Sequence, residues 1–244
     1  MKTYKYAFTT LAVGEPYLTT ALNTQRGMAS KSSALLGITT DKIPEFSGKT
    51  EINHISLDNY HCTNFTNGAF SFHLNLKVLS IKHMLNRDLD YVVYIDGDWE
   101  LYDGFSEEKM QAMFDYMEKN NLDYLFERPC TIGGSKLNLQ ECFFPNKIRD
   151  YDVMTHTKWD AAHVPNEQFL VFKNNWKLKF FVQRWEMFLW YSIHNNIQNY
   201  PDGFEIGVAA LESDMHYDYY GYQHYIRQCF QFKTRFGGEP NIRF

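Results

Sequence analysis

Apolar residues along this chain come in short runs separated by polar turns, and their spacing changes from run to run. Residues 4–10 form an apolar and β-branched run that predicts a first strand. A polar turn around Gly14 and Pro16 leads into a helix over about residues 17–28. Residues 34–39, closed by Thr40 and Asp41, predict a second buried strand, and residues 51–57 a possible third. The best-signed helix of the first half covers about residues 72–86, where Leu74, Val78, Ile81 and Leu85 recur at helical spacing. Arg87 to Asp90 turns the chain into Tyr91–Ile95, five apolar or aromatic residues in a row. Such a run suits a central strand covered on both faces. It stops abruptly at Asp96-Gly97-Asp98.

In the second half, Ser106 fits the N-cap of a helix running to about Asn120, with Glu107 and Glu108 in its favourable first turn. Residues 123–126 predict a strand, and residues 130–150, with Gly133-Gly134, a loop or irregular hairpin. A strand over 168–172 precedes a long helix over 178–193, with Phe181, Trp185, Phe188 and Leu189 on one face. From residue 200 the chain is polar, aromatic and irregular in pattern. The alternation of strands and helices argues for an α/β fold. No repeat, low-complexity tract or Pro/Gly/Ser-rich linker divides it, so a single domain over residues 1–244 is expected.

Composition changes this picture little. Rings make up 17% of the residues, so the core is expected to be aromatic, with some rings free to stack on a base or sugar. A net charge of -5 argues against a uniformly basic surface that coats nucleic acid, although a local basic patch remains open. The four cysteines, Cys62, Cys130, Cys142 and Cys229, form no CxxC pair, which leaves neither zinc spacing nor a disulfide framework. They read as reduced, mostly buried thiols. The N-terminus lacks the apolar core of a signal peptide, and no run approaches the roughly 18 apolar residues of a membrane span. A soluble, cytoplasmic protein without a membrane partner is expected, the host cytoplasm being its place if the gene is a phage's.

The chemistry is concentrated at residues 96–98. Ligands of open α/β sheets bind beyond the carboxyl ends of the strands, where this acidic pair falls. A turn at a strand exit brings two carboxylates toward one cation, and Gly97 lets the backbone approach a bulky ligand. Mg²⁺ and Mn²⁺ take such oxygen ligands together with substrate phosphates, and would neutralise a departing diphosphate. A solvated acidic turn is the plain alternative.

The stretch from Leu76 to Leu101, LKVLSIKHMLNRDLDYVVYIDGDWEL, resembles the core of GT-A glycosyltransferases, especially the glycogenin-like group. The resemblance implies a single GT-A (Rossmann-like) domain with a central mixed, mostly parallel sheet flanked by helices. Residues 1–104 would be the nucleotide-sugar-binding half and residues 105–244 the acceptor half with a C-terminal tail. It matches Asp96 and Asp98 to the metal-binding pair, and Lys77 to the helix lysine that reaches the sugar nucleotide. It would set Thr9, Thr10 and Leu11 near the nucleobase, Tyr17 as a stacking ring, and Asp41 against the uracil or ribose. Asn166-Glu167-Gln168 resembles the opening of a later strand, but Glu167 and Gln168 replace the usual small residues; they are read as acceptor-side groups.

A second acidic cluster follows Asp202. If residues 205–216 are helical, Glu205, Glu212 and His216 share one stripe, and either glutamate could serve as general base toward an acceptor hydroxyl. An ordinary polar helix face is the alternative. His216, followed by Gly221, resembles the histidine that completes the metal site in many GT-A enzymes, although the spacing departs from the glycogenin-like pattern and His224 is a rival. In the last segment Lys233, Arg235 and Arg243 lie among Phe rings and could fold over a diphosphate or contact nucleic acid.

The leading expectation is a Mn²⁺- or Mg²⁺-dependent glycosyltransferase moving a hexose or pentose from a UDP-sugar to an acceptor hydroxyl. The acceptor would be a glycan, a protein side chain, or a hydroxymethylated base in phage DNA. A haloacid-dehalogenase-like phosphatase is the rival enzyme class, disfavoured because its aspartates follow the first strand and Trp99 and Glu100 depart from its pattern. A non-catalytic nucleotide-sugar-binding module is the third reading.

Overall fold

The computed structural model describes residues 3–45, 47–60, 74–127, 131–132, 135–136, 165–194, 202–218 and 224–232. In chain order the elements are β1 (Tyr6–Leu11), α1 (Glu15–Ala29), β2 (Leu35–Thr40), β3 (Thr50–His54), α2 (Lys77–Met84), β4 (Tyr91–Ile95), β5 (Trp99–Leu101) and α3 (Glu107–Lys119). They continue with β6 (Tyr124–Phe126), the short β7 (Thr131–Ile132) and β8 (Ser135–Lys136), β9 (Phe169–Lys173), α4 (Trp176–His194), α5 (Asp202–Glu212), β10 (Tyr217–Asp218) and β11 (Phe230–Phe232). Single 3-10 turns lie at Leu57–Asn59 and Leu74–Leu76.

Seven strands make one sheet in the order β10-β6-β9-β4-β1-β2-β3. Every pairing is parallel except those of β9, which runs antiparallel to both β4 and β6. The sheet is therefore mixed and mostly parallel, as expected. Both faces are covered. On one, Ala7, Val92, Tyr94, Leu170 and Phe172 meet Val78 and Ile81 of α2, Phe181 and Trp185 of α4, and Ile206 of α5. On the other, Tyr6, Phe8, Tyr91, Val93 and Val171 meet Met110, Met113 and Phe114 of α3. The alternation of Val92 and Tyr94 with Tyr91, Val93 and Ile95 is the period-two pattern of a strand buried on both sides. The aromatic core is realised: Tyr91 stacks on Phe114 with centroids 4.2 Å apart. Cys229 is buried; Cys62, Cys130 and Cys142 lie outside the described residues.

Local signals place most boundaries. Ser106 caps α3 by accepting the Lys109 N–H, with two glutamates in the first turn. The helix expected from residue 72 is α-helical from Lys77, after the tighter Leu74–Leu76 turn; residues 72 and 73 lie outside the described residues. The expectation of irregular structure from residue 200 is corrected by α5, β10 and β11. β11 pairs antiparallel with β5, a small second sheet that joins the stretch after the acidic pair to residues 230–232. Of the loop or irregular hairpin expected over residues 130–150, the described part is the antiparallel β7–β8 pair; the remainder lies outside the described residues. No helix among the described residues is long and apolar enough to cross a membrane.

Candidate active site

Because β1, β2, β4 and β6 run parallel, their carboxyl ends share one edge of the sheet, and Asp96 follows β4 there. The reversed β9 brings its amino end to the same edge. The Asp96 N–H donates to the Gln168 carbonyl at 2.9 Å, so the segment carrying Glu167 and Gln168 borders the aspartate. Both side chains are partly exposed.

Asp96 sits on the α2 side of the sheet, in step with Tyr94 two residues earlier. The Tyr94 hydroxyl donates to Asp96 Oδ1 at 2.8 Å. Lys77, the first residue of α2, places its ammonium 3.0 Å from the same oxygen and 5.7 Å from the centre of the Tyr94 ring. The lysine side chain keeps only 9% of its surface exposed. Its turn of chain is fastened from below, since the buried Asn75 accepts the Trp185 indole N–H. Asp98 is 6% exposed. Burial first, and the Asp96 charge second, hold its carboxyl well above the usual carboxylate range, while its own backbone N–H and Lys77 work the other way. Gly97 lies against β1: a Cβ there would come within 3.0 Å of the Leu11 carbonyl oxygen.

These residues suit a hard divalent cation. The donors are carboxylate oxygens, and a cation would offset both the burial and, second, the neighbouring Asp96 charge that raise the Asp98 carboxyl. Among the described residues no three His, Cys, Asp or Glu side chains converge on one point, so two aspartates would leave positions for phosphate oxygens and water.

Other expected donor residues divide. Leu11, Tyr17 and Asp41 lie at or beside this edge. Leu11 ends β1, Tyr17 packs in the first turn of α1, and Asp41 accepts the Gly14 N–H at 2.8 Å, fastening the β1–α1 loop. Thr9 is corrected: it is 1% exposed and its hydroxyl donates to the Ser80 carbonyl at 3.0 Å, pinning α2 to the sheet. Thr10 is 2% exposed on the opposite face. Neither threonine is open to a nucleobase. Lys233 and Arg235 lie outside the described residues, as do Arg243 and Gly221.

The second acidic cluster is also corrected. α5 ends at Glu212, so His216 is not on its face. The His216 carbonyl accepts the Asp123 and Tyr124 N–H groups at the amino end of β6. That is the edge where β4 begins, about 16 Å from Asp96 along the strand. His216 is therefore not a partner of Asp96 and Asp98, while His224 is exposed in the stretch before β11. Glu212 accepts the Arg184 Nε–H at 2.5 Å, which ties it to α4 and removes it as a free base. Glu205 is completely buried in α5, the helix that packs on α4 and on the 3-10 turn preceding Lys77.

Sequence reasoning missed Tyr94. Its signal was present: a tyrosine two residues before a strand-end aspartate points to the same face. The Gln168 carbonyl as the Asp96 anchor depends on strand pairing and had no local signal.

No protein-family model matches the chain, and no curated protein does. Solved structures do. Core-mannan synthase A from Aspergillus fumigatus, in its Mn/GDP form, superposes with a TM-score of 0.52 at 11% identity, covering 93% of this chain and 74% of that one. Mouse xyloside xylosyltransferase 1 gives 0.46 at 7% identity, over 88% and 84% of the two chains. The galactosyltransferase LgtC, with donor and acceptor sugar analogs, gives 0.46 at 10% identity, over 86% and 72%. Together with the sheet order, the first of these establishes the GT-A fold.

Proposed function

We propose that the protein is a metal-dependent glycosyltransferase that moves a hexose or pentose from a UDP-sugar to an acceptor hydroxyl. The observation that carries this reading is the cluster of Lys77, Tyr94, Asp96 and Asp98 at the carboxyl edge of the central strand. Asp96 and Asp98 would hold Mn²⁺ or Mg²⁺, which when bound supplies positive charge to the diphosphate leaving group. Lys77 orients Asp96 and adds a second positive charge near the place where the leaving group develops its negative charge. Gly97 lets the acidic turn lie close against Leu11 of β1, with Tyr17 and Asp41 beside the same edge. Glu167 and Gln168 border the acceptor side. Glu205 is retained as the acid–base candidate of α5, on condition that substrate binding uncovers it.

The whole chain is proposed to work as one domain. The sheet itself supports this, since β6, β9 and β10 from residues 105–244 join strands from residues 1–104. Uridine as the base rests on the glycogenin-like resemblance, whereas the mannan synthase was solved with GDP. The acceptor class stays as broad as a glycan, a protein side chain or a hydroxymethylated DNA base, and a cytoplasmic location belongs to the same proposal.

The test is calorimetric binding of UDP and of GDP with Mn²⁺ and with EDTA, on wild type and Asp98→Ala. Metal-dependent UDP binding that is lost in the variant is expected. A folded wild type that binds neither nucleotide in either condition would remove the reading.

A further inference from the structure

A cleft of about 490 Å³ opens on the opposite edge of the sheet, between the turn after α2 and the start of α4. Its walls include Asn86, Arg87, Asp88, Asn174, Trp176 and Lys179. The Asn174 N–H donates to the Asp90 carbonyl just before β4 begins, so the full length of β4, about 16 Å, separates this cleft from Asp96.

Trp176 is 70% exposed, by far the barest of the described tryptophans. A large apolar side chain left in water beside a concavity is the exception that asks for a ligand. Phe180, 41% exposed, lies one helical turn on along the same face of α4, so the aromatic surface continues for about 6 Å beyond the cleft. The uncharged polar side chains of the walls are amides, those of Asn86, Asn174 and Asn175. The Asn174 Nδ2 donates to the Leu89 carbonyl at 3.0 Å, while its Oδ1 is buried without a hydrogen-bond partner, an acceptor suited to a hydroxyl. The charges in the walls are largely spent within the protein: Arg87 pairs with Glu51 at 2.7 Å and Asp88 with Lys5 at 2.5 Å. A phosphodiester chain would therefore find little free positive charge beyond Lys179.

We propose that this cleft is a second carbohydrate-binding site, which takes a neutral oligosaccharide by stacking one sugar ring on Trp176 against the amides of Asn86 and Asn174. Phe180 offers a place for the next ring, which favours a chain over a monosaccharide. The site does not depend on the protein being a transferase; if it is one, the cleft would hold a glycan chain at a distance from the transfer point.

The test is calorimetric titration of the whole protein with maltohexaose, cellohexaose, xylohexaose and mannohexaose. Wild type, Trp176→Ala, Trp176→Phe and Asp98→Ala are compared, with UDP and Mn²⁺ binding measured on each. The expected result is saturable binding of at least one hexasaccharide, weakened tenfold or more in Trp176→Ala and partly restored in Trp176→Phe. Asp98→Ala should bind it as wild type does, and Trp176→Ala should keep UDP binding. Absence of binding by all four sugars, binding indifferent to Trp176, or binding that requires Asp98 would each overturn the proposal. So would tighter binding of the oligonucleotide dT12 that depends on Trp176, because the platform would then serve bases. Failure of UDP binding in wild type bears on the transferase reading alone.

Discussion

The ammonium of Lys77 stands 3.0 Å from Oδ1 of Asp96, and the lysine is as buried as many core residues. It is the cation that lets two aspartates stand at the mouth of an apolar sheet. Replacing it with methionine keeps the stem and removes the charge, leaving the carboxylates to repel each other. Lys77→Met is expected to lose about 2–3 kcal/mol, less than a fully buried pair because Asp96 stays partly wet. That corresponds to a fall in Tm of roughly 4–10 °C. Mn²⁺ should restore part of it. Melting curves with Mn²⁺ and with EDTA check this, and an unchanged Tm in EDTA would show that the ion pair contributes nothing.

Asp98→Asn should separate stability from function. Burial and the neighbouring Asp96 both oppose a charge on Asp98, so the neutral amide relieves the metal-free protein. A rise in Tm of a few degrees at pH 8 in EDTA is expected, on the order of 1 kcal/mol. Nucleotide binding with Mn²⁺ should fall at least 100-fold in the same variant. A variant that melts earlier than wild type in EDTA would contradict the electrostatic account.

Gly97→Ala tests the close approach of the acidic turn to β1. The added methyl would come within 3.0 Å of the Leu11 carbonyl, a backbone atom that has no rotamer to escape through. The turn must shift, and the aspartates with it. Donor binding is expected to weaken by about tenfold or more, with a stability loss of about 1–2 kcal/mol. Binding equal to wild type would mean that the turn has slack.

Asp123 is held by three donors at the other edge of the sheet and is expected to contribute to acid stability. It accepts hydrogen bonds from the His216 N–H at 2.9 Å, Lys177 Nζ at 2.9 Å and Asn175 Nδ2 at 3.0 Å. Burial alone would raise its pKa, but these donors outweigh it and hold the carboxyl below its ordinary value of 3.8. A carboxyl with a lowered folded pKa adds stability that is present above the unfolded value and lost as the pH falls through the folded one. Wild type should therefore lose stability below about pH 4, and Asp123→Asn should be flatter there. At pH 7 the variant should be weaker by about 1–3 kcal/mol. Urea midpoints from pH 2.5 to 7 measure both; parallel curves would rule Asp123 out as the group responsible.

The first half of this fold was legible because its signals are local. Tyr91–Ile95 is apolar on both faces and stops at two aspartates, and Ser106 with two glutamates opens α3. α5 was read only conditionally, since Gly203 and Gly207 weaken its helical signal and its stability comes from packing on α4. β5 and β11 are three residues each and 129 positions apart at the Phe230–Leu101 pair (230 − 101), a pairing that no local pattern announces. His216 was misassigned for a topological reason. The spacing from Glu205 says nothing about which edge of the sheet the chain has reached, and β10 pairs parallel to β6 from the far side. Thr9 illustrates a smaller error: strand-end position suggested ligand contact, but alternation turned its hydroxyl to the Ser80 carbonyl.

One strand of the seven runs backwards, and this has a consequence for how specificity can change. In a wholly parallel sheet every segment that enters a strand arrives at the edge away from the ligand. β9 reverses this, so the chain leading into it through Pro165 and Asn166 is handed directly to the rim that carries Asp96. Substitutions or added length in that incoming segment would reshape what borders Asp96 without disturbing a residue of β1, α2 or β4. Under the proposed transferase reading, the reversed strand would decouple the choice of acceptor from the upkeep of the acidic pair, and let one vary while the other stays put.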